Sequence, residues 1–285
     1  MCVGRSISDP LLTKWVWTSP SFVGPGLKHA ALTLTQPGGN LDQSFGSTNL
    51  VTFETTMDIN ELSVGLIGGT GEEGRGLALR WAMAGARVAI GSRTLDRAKT
   101  TADELNQLLE AHAGQSSQHI GFGENQEVIA GSEFALLTVP FAHAASTLEA
   151  HRKDFNDRSI LIDITVPVSF EQGRVRYVEL PEGSASEHLK ARLPENVPLV
   201  AAFKTEPAHL LAEIDEPLDC DSFVASDSKD AKARVMEAIG FIKGLRAVDA
   251  GTLYSARTLE RMTVLAIGIN RRHKIKTARY RVVGL

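Results

Sequence analysis

From residue 62 onward, short apolar runs alternate with longer segments whose apolar positions recur every three or four residues. Short apolar runs bounded by glycine or polar residues are typical of buried strands, and the longer spacing is typical of amphipathic helices. The pattern predicts strands at residues 62–67, 87–90, 119–121, 134–139, 159–164, 199–203, 222–225 and 246–249. It predicts helices at residues 74–84, 95–111, 124–130, 142–150, 184–192, 208–214, 230–241 and 253–270.

This alternation of strand and helix predicts an α/β fold. Crossovers of ten or more residues between strands imply a doubly wound parallel sheet with helices on both faces. We expect one domain over residues 61–166 and a smaller α/β domain over residues 167–285, with the boundary near Val166 and Pro167. The second domain is expected to close a cleft over the first.

The first 60 residues follow neither pattern. They are rich in proline, glycine, serine and threonine, and they contain no helical period and no long alternating strand. Met57 stands directly before the first predicted strand. We therefore expect residues 1–60 to be a disordered extension, or the product of an upstream start codon assigned in error.

A glycine-rich turn joins the first predicted strand to the first predicted helix. Residues 69–74 read G-T-G-E-E-G, a G-x-G-x-x-G pattern in the strand–turn–helix context that binds a dinucleotide pyrophosphate. Gly69 would allow the tight turn, Gly71 the close approach of the phosphates, and Gly74 the packing of helix on strand. The free N–H groups of the helix N-terminus would face the anion. The first domain is therefore predicted to be Rossmann-like.

The end of the second strand selects the type of dinucleotide. NAD-binding domains place a carboxylate there for the ribose 2′-hydroxyl, whereas this chain has Ser92 and Arg93, with Arg97 one helical turn further on. Two guanidinium groups and a hydroxyl suit a 2′-phosphate. The sequence predicts NADP(H).

Several later motifs discriminate further between NADP-dependent families. They are LTVPFAHA at residues 137–144, VPVS at 166–169, GSASE at 183–187, DAG at 249–251 with Leu253, and then Arg257, Glu260 and Thr263. Together with the two turns above, they resemble the NADPH-dependent F420 reductases, also called F420H2:NADP oxidoreductases. The resemblance extends from about residue 62 to the C-terminus.

The resemblance implies hydride transfer between NADP(H) and the 5-deazaflavin coenzyme F420, with both rings stacked in a cleft. Both reactive centres then belong to cofactors, so no catalytic side chain is predicted and the protein mainly positions the rings. The carboxyl end of the strand at Val139 and Pro140 is where such a sheet opens to a ligand. The cofactor-binding residues that these arguments and the resemblance indicate are Gly69, Thr70, Gly71, Glu72, Glu73, Gly74, Ser92, Arg93, Arg97, Val139, Pro140, Phe141, Ala145, Lys204 and Ala208.

Three features distinguish this chain from the pattern of that family: two substitutions and a basic C-terminal segment. Phe141 replaces a tryptophan, and Lys204 replaces the histidine of a His-Thr-x-Pro-Ala run. A lysine there could hold an anionic ring or phosphate, but it transfers protons poorly at neutral pH unless its pKa is lowered. Residues 271–281 are strongly basic, which suits the phosphate and glutamates of an F420 tail, another anionic partner, or a solvated tail.

Composition argues against several other kinds of partner and site. A net charge of −4 gives no general attraction to nucleic acid, and no apolar run is long enough to span a membrane. Two cysteines, Cys2 and Cys220, argue against a disulfide framework and suit the cytoplasm. The scattered histidines predict no metal site, and His143 near the cleft is more consistent with a capping or structural role than with catalysis.

Other functions stay open at this point. A related NADPH-dependent reductase of an imine, ketone or ferric chelate would use the same first domain, and so would a non-catalytic sensor of the NADP/NADPH ratio. A homodimer could form through residues 253–270, whose apolar stripe fits the protein core equally well. That stripe comprises Leu259, Met262, Leu265, Ala266 and Ile269.

Overall fold

The computed structural model describes residues 57–113 and 119–285. The expectation for residues 1–56 lies outside this part of the chain. The strands are β1 Ser63–Ile67, β2 Arg87–Ser92, β3 Gly121–Glu124, β4 Phe134–Leu137, β5 Ile160–Asp163, β6 Val168–Glu171, β7 Arg174–Tyr177, β8 Leu199–Ala201, β9 Cys220–Ala225 and β10 Leu245–Gly251. The helices are α1 Glu72–Ala84, α2 Leu95–Ala113, α3 Asn125–Gly131, α4 Phe141–Ala150, α5 Ala185–Lys190, α6 Ala208–Ala212, α7 Lys229–Gly240 and α8 Ala256–His273.

Eight of these strands form one sheet in the order β3-β2-β1-β4-β5-β8-β9-β10. The pairs from β3 through β8 are parallel, β8 pairs with β9 antiparallel, and β9 pairs with β10 parallel. The order changes direction at β1 and β4, which is where doubly wound sheets open a crevice beyond the carboxyl ends of their strands. The structure confirms the predicted α/β, Rossmann-like class.

Buried apolar side chains cover both faces of the sheet in two clusters. Leu66 and Ile67 are neighbours on β1, and they point to opposite clusters because successive side chains in a strand alternate between faces. Strands buried on both faces explain why the sequence shows continuous apolar runs here rather than alternation.

The strand predicted at residues 119–121 lies further along the chain than expected, because β3 begins at Gly121. Ile120 instead pairs with the side chain of Asn106 on α2, donating its N–H to Oδ1 at 2.8 Å and accepting from Nδ2 at 2.9 Å. Since the side chain of Asn106 replaces a neighbouring strand for this residue, the ladder starts one residue later.

Residues 168–177 form a two-stranded hairpin that the apolar pattern did not predict. Its turn residues Gln172 and Gly173 both have positive φ, 47° and 75°, as a type I′ turn requires. The predicted boundary at Val166 and Pro167 falls in the connection from β5 to this hairpin, and β8, β9 and β10 beyond it extend the same eight-stranded sheet. The two-domain division stays a prediction.

Helices α1 and α6 approach each other unusually closely. A Cβ on Gly76 would lie 2.5 Å from Cβ of Leu211, so only glycine fits at this contact. The buried guanidinium of Arg80 donates to the carbonyl oxygens at the end of α6 and just beyond it, those of Leu210, Leu211, Glu213 and Glu216. These bonds anchor α6 so that both helices begin at the same edge of the sheet.

Candidate active-site cleft

The glycine turn between β1 and α1 has the geometry that its sequence predicts. A Cβ on Gly69 would lie 2.6 Å from Cβ of Leu66, and a Cβ on Gly74 would lie 3.1 Å from the backbone of Gly69. Both positions therefore exclude larger residues. A Cβ on Gly71 would meet no described atom within 4 Å. The space above Gly71 is thus open to a ligand, beside the free N–H groups of α1.

Asn125, the first residue of α3, supports this turn from below. Its Oδ1 accepts the N–H of Gly68 at 3.1 Å, and its side chain is buried. Gly68 has a φ of 72°, which favours glycine at this position, and the bond to Asn125 satisfies its N–H. The sequence reading missed Asn125, because a single asparagine far from the glycine motif carries no pattern.

A first cavity of about 420 Å³ extends from the glycine turn over the end of β2. Thr70, Gly71 and Ser92 line it together with the two predicted arginines, Arg93 and Arg97. Both arginines are exposed, and neither guanidinium has a hydrogen-bond or ion-pair partner among the described residues. The cavity therefore offers two uncompensated positive charges and a hydroxyl at one end.

A second cavity, of about 490 Å³, continues from the first. Both cavities are bounded by Gly71, Thr138, Val139 and Pro140, so these residues form the passage between them. The second cavity is also lined by the predicted residues Glu72, Glu73, Gly74, Phe141, Lys204 and Ala208.

Two of the predicted residues line neither cavity. Gly69 is packed against Leu66 within the turn. Ala145, on α4, packs partly against the hydrophobic core. Phe141 reaches the second cavity at the start of α4, with its ring 5.9 Å from that of His188. His143 lies at the rim of the first cavity, where its N–H donates to the carbonyl of Pro140 in the first turn of α4.

Lys204 is almost completely buried behind the second cavity. Its Nζ donates to Asp163 Oδ2 at 2.9 Å and to the carbonyl of Thr165 at 2.6 Å, and it lies 3.2 Å from Glu260 Oε1. Burial alone would lower the pKa of Lys204, but the carboxylates of Asp163 and Glu260 raise it above its ordinary value. The ammonium stays charged, and three internal acceptors engage its three N–H donors.

The discriminating motifs of the second half converge on this buried charge cluster. Glu260 Oε2 accepts from the N–H of Ala185 at 2.9 Å and from the hydroxyl of Tyr177 at 2.8 Å. Ser186 donates its hydroxyl to Asp163 at 2.6 Å. These bonds join β5, the hairpin, α5 and α8 behind the cavity, which explains why short motifs so far apart in the chain occur together.

A second link between the same elements lies nearer the surface. Arg257 on α8 forms two hydrogen bonds of 2.7 Å with the carboxylate of Glu187 on α5. The guanidinium occupies the space beside Gly183, where an added Cβ would lie 2.3 Å from Nε. The GSASE motif therefore combines a helix cap at Ser184, whose Oγ accepts the N–H of Glu187, with close packing against α8.

Two carboxyl groups that line the second cavity have pKa values above the ordinary range. Burial, together with the nearby carboxylate of Glu206, raises the pKa of Glu73 to about 8. Burial likewise raises the pKa of Glu206 to about 7, against the hydrogen bonds that its carboxylate accepts from Ser222 and Thr205. Oε1 of Glu206 is buried without a hydrogen-bond partner among the described residues. Sequence reasoning did not single out Glu206, since only the folded chain buries it.

The described residues contain neither a candidate metal site nor a helix suited to a membrane. No group of histidine, cysteine, aspartate and glutamate side chains in this part of the chain is arranged to hold a metal ion. None of its helices combines the length and the apolar character needed to cross a membrane.

Comparison with known proteins identifies the family. Residues 63–167 match the family model described as NADP oxidoreductase coenzyme F420-dependent. A solved structure from Arthrobacter sp. FB24 shares the fold, with a TM-score of 0.65 and 23% identity over 78% of this chain and 99% of that one.

Two curated archaeal proteins named F420-dependent NADP reductase align over most of the chain. The protein of Methanothermobacter thermautotrophicus is 38% identical over 227 residues, which are 79% of this chain and 96% of the relative. The protein of Methanocaldococcus jannaschii is 31% identical over 226 residues, 79% of this chain and 99% of the relative. The chain belongs to the F420-dependent NADP reductase family.

Proposed function

We propose that this protein transfers a hydride between NADP(H) and the deazaflavin coenzyme F420. The observation that carries the proposal is the pair of connected cavities that meet at Val139 and Pro140. One cavity ends in unpaired arginines suited to a nucleotide phosphate, and the other has room for a second ring system. Membership of the family supports the same reaction.

The nucleotide is proposed to lie along the first cavity. The pyrophosphate would accept hydrogen bonds from the backbone N–H groups of residues 71–73 at the start of α1, where the helix dipole also favours an anion. Glu73 is compatible with this anion because its raised pKa keeps its carboxyl mostly protonated at neutral pH. Ser92, Arg93 and Arg97 would hold the 2′-phosphate.

The nicotinamide would then reach the passage at Val139 and Pro140, with Phe141 and Ala208 beside it in the second cavity. Hydride transfer between two cofactors requires the reacting carbons to be held at close approach, and it requires little from side-chain chemistry. Lys204 is proposed to position the wall of the cavity, since its ammonium is engaged by Asp163, Glu260 and Thr165.

Hydride exchange in solution tests the proposal. Purified protein is mixed with NADPH and F420, and the loss of the deazaflavin absorbance is followed, with NADH as the comparison donor. We expect turnover with NADPH and much slower turnover with NADH. Firm NADPH binding without exchange would overturn the proposal, and NADPH-dependent reduction of an imine, ketone or ferric chelate without F420 would replace it with the related reductase activity.

We also propose that the protein forms a homodimer through α8. Leu259 and Ala266 of the apolar stripe are buried in the core, whereas Leu265 is 57% exposed, so only part of the stripe is left for a partner. Sedimentation of the wild type and of Leu265→Lys tests this, because a charge at a dimer contact shifts the equilibrium toward the monomer.

A further inference from the structure

Four cations in the last turn of α8 and just beyond it have no partner in the described part of the chain. Arg271, Arg272, Lys274 and Lys276 are exposed, and none of their side chains forms a hydrogen bond or an ion pair there. The next two arginines along the chain are paired, because Arg279 and Arg281 both donate hydrogen bonds to Asp219. The unpaired charge is therefore concentrated in residues 271–276, which we call the basic segment.

Hydrogen bonds on both sides of Lys276 hold this end of the basic segment at the second cavity. Asn270 accepts the N–H of Ile275 at 3.0 Å with its carbonyl and the N–H of Ala278 at 2.9 Å with Oδ1. Tyr280 is anchored to α8 through the carbonyl of Met262 at 2.7 Å. As a result Asn270, Lys276 and Ala278 line the cavity itself.

Cations at the end of a helix also stabilise its dipole, and Arg271 and Arg272 in the last turn of α8 have that role available to them. Lys276 lies beyond the helix end and faces the cavity instead. The helix dipole therefore explains the positions of Arg271 and Arg272, but it does not explain the position of Lys276 at the cavity.

The charges of the cleft are arranged along its length. Arg93 and Arg97 line the first cavity, and Lys276 of the basic segment lines the second cavity. In the second cavity, Lys276 is an exposed cation that has no partner among the described residues. An anionic group attached to a ring in this cavity is thus favoured near Lys276.

We propose that the basic segment binds the anionic tail of the deazaflavin substrate, namely its phosphodiester and the glutamate carboxylates that follow. This inference rests on the proposed function, because it assumes that the deazaflavin ring occupies the second cavity. Lysine and arginine bind both phosphate and carboxylate oxygens through charge-assisted hydrogen bonds, and flexible exposed cations accommodate tails of different lengths.

The test compares substrates with and without the tail. Wild-type protein and the variant R271Q/R272Q/K274Q/K276Q are assayed with NADPH and three acceptors: F420 with glutamates, the phosphate-bearing form without glutamates, and the deazaflavin with its ribityl chain alone. An exposed ion pair changes affinity up to about fivefold. We expect KM for the full acceptor to rise about tenfold or more, with kcat and KM for NADPH unchanged.

The tail-free acceptor is expected to react equally well with both proteins. The intermediate acceptor separates the contribution of the phosphate from that of the carboxylates. Raising the salt concentration should increase the wild-type KM for full F420 and leave that for the tail-free form unchanged. The variant R87Q/R158Q/R174Q/K229Q removes the same charge from exposed positions outside both cavities and should behave as the wild type.

Equal losses with the full and the tail-free acceptor would overturn the inference, and so would unchanged kinetics of the basic-segment variant. Failure of the wild type to reduce any of the three acceptors is a different result, because it would overturn the proposed function itself. Circular dichroism and the melting temperature of the variant establish that α8 and the fold are retained.

Discussion

Nζ of Lys204 lies 2.9 Å from Oδ2 of Asp163, and both side chains are inaccessible to solvent. Asp163 is the last residue of β5, and Lys204 lies three residues beyond the end of β8. The pair therefore joins two neighbouring strands at the edge of the sheet where the second cavity opens. Glu260 brings α8 to the same point.

Replacing Lys204 by methionine should destabilise the protein strongly. Methionine fills a similar volume but leaves Asp163 and Glu260 as buried charges without a cation, and breaking a buried pair in this way costs about 3–5 kcal/mol. Chemical unfolding followed by circular dichroism measures the loss. Lys190→Met is the matched control, since Lys190 pairs with Asp227 at the surface and should lose less than about 1 kcal/mol.

The two lysine variants also separate a positioning role from direct ligand contact. If Lys204→Met keeps the stability of the wild type and loses only affinity for NADPH or F420, Lys204 contacts the ligand, and the positioning role is wrong.

The variant R93Q/R97Q should lose its preference for NADPH over NADH. Each charge-assisted hydrogen bond to a phosphate contributes about 1.5–3 kcal/mol. Because the variant loses two such bonds, we expect KM for NADPH to rise by about a hundredfold or more, while KM for NADH stays nearly constant. NADH is the control for NADPH with the same variant, because the two nucleotides differ only in the 2′-phosphate. An equal rise in KM for both nucleotides would show that the two arginines do not contact the 2′-phosphate.

Gly71→Ala and Gly76→Ala should have opposite effects on binding and stability. A methyl group on Gly71 meets no described atom within 4 Å, so the fold should be retained while the approach of the pyrophosphate is hindered. A methyl group on Gly76 would lie 2.5 Å from Cβ of Leu211. Overpacking of this kind costs about 1–3 kcal/mol.

Calorimetry with NADPH and thermal unfolding distinguish the two glycine variants. Gly71→Ala is expected to melt within a few degrees of the wild type and to bind NADPH weakly. Gly76→Ala is expected to melt lower and, while folded, to bind NADPH with nearly wild-type affinity. The reverse assignment would show that the space above Gly71 does not receive the nucleotide.

The stability of the ligand-free protein should fall as pH rises from 6 to 9. The pKa of Glu73 is raised from 4.5 to about 8 in the folded state. A raised carboxyl pKa contributes stability that is complete below the unfolded pKa and is lost as pH rises through the folded one. For Glu73→Gln, which cannot ionise, we expect a decline that is smaller by on the order of 1–2 kcal/mol.

Denaturant melts at several pH values measure this difference. Glu61→Gln removes an exposed carboxyl and should keep the wild-type pH dependence. A Glu73→Gln protein with the same pH dependence as the wild type would contradict burial of the Glu73 carboxyl.

Local pattern was sufficient for most elements of the sheet. Apolar runs and helical periods act over a few residues, so β1, α1, β2 and α2 lie close to their predicted bounds. The hairpin at residues 168–177 was missed although its side chains alternate in polarity and Gln172-Gly173 can form the turn. Such a two-residue turn lacks the Asn-Gly signal that marks most type I′ hairpins.

The sequence by itself determined the arrangement of the residues proposed to bind the nucleotide, because the glycine turn, Ser92, Arg93 and Arg97 lie within one β-α-β unit, where spacing dictates position. Only the tertiary structure decided what Lys204 does. Its partners Asp163 and Glu260 are 41 and 56 residues away, and their contact depends on β5, β8 and α8 meeting behind the cavity. Burial and partners, which set the charge of a side chain and its availability to a ligand, are properties of packing between distant segments.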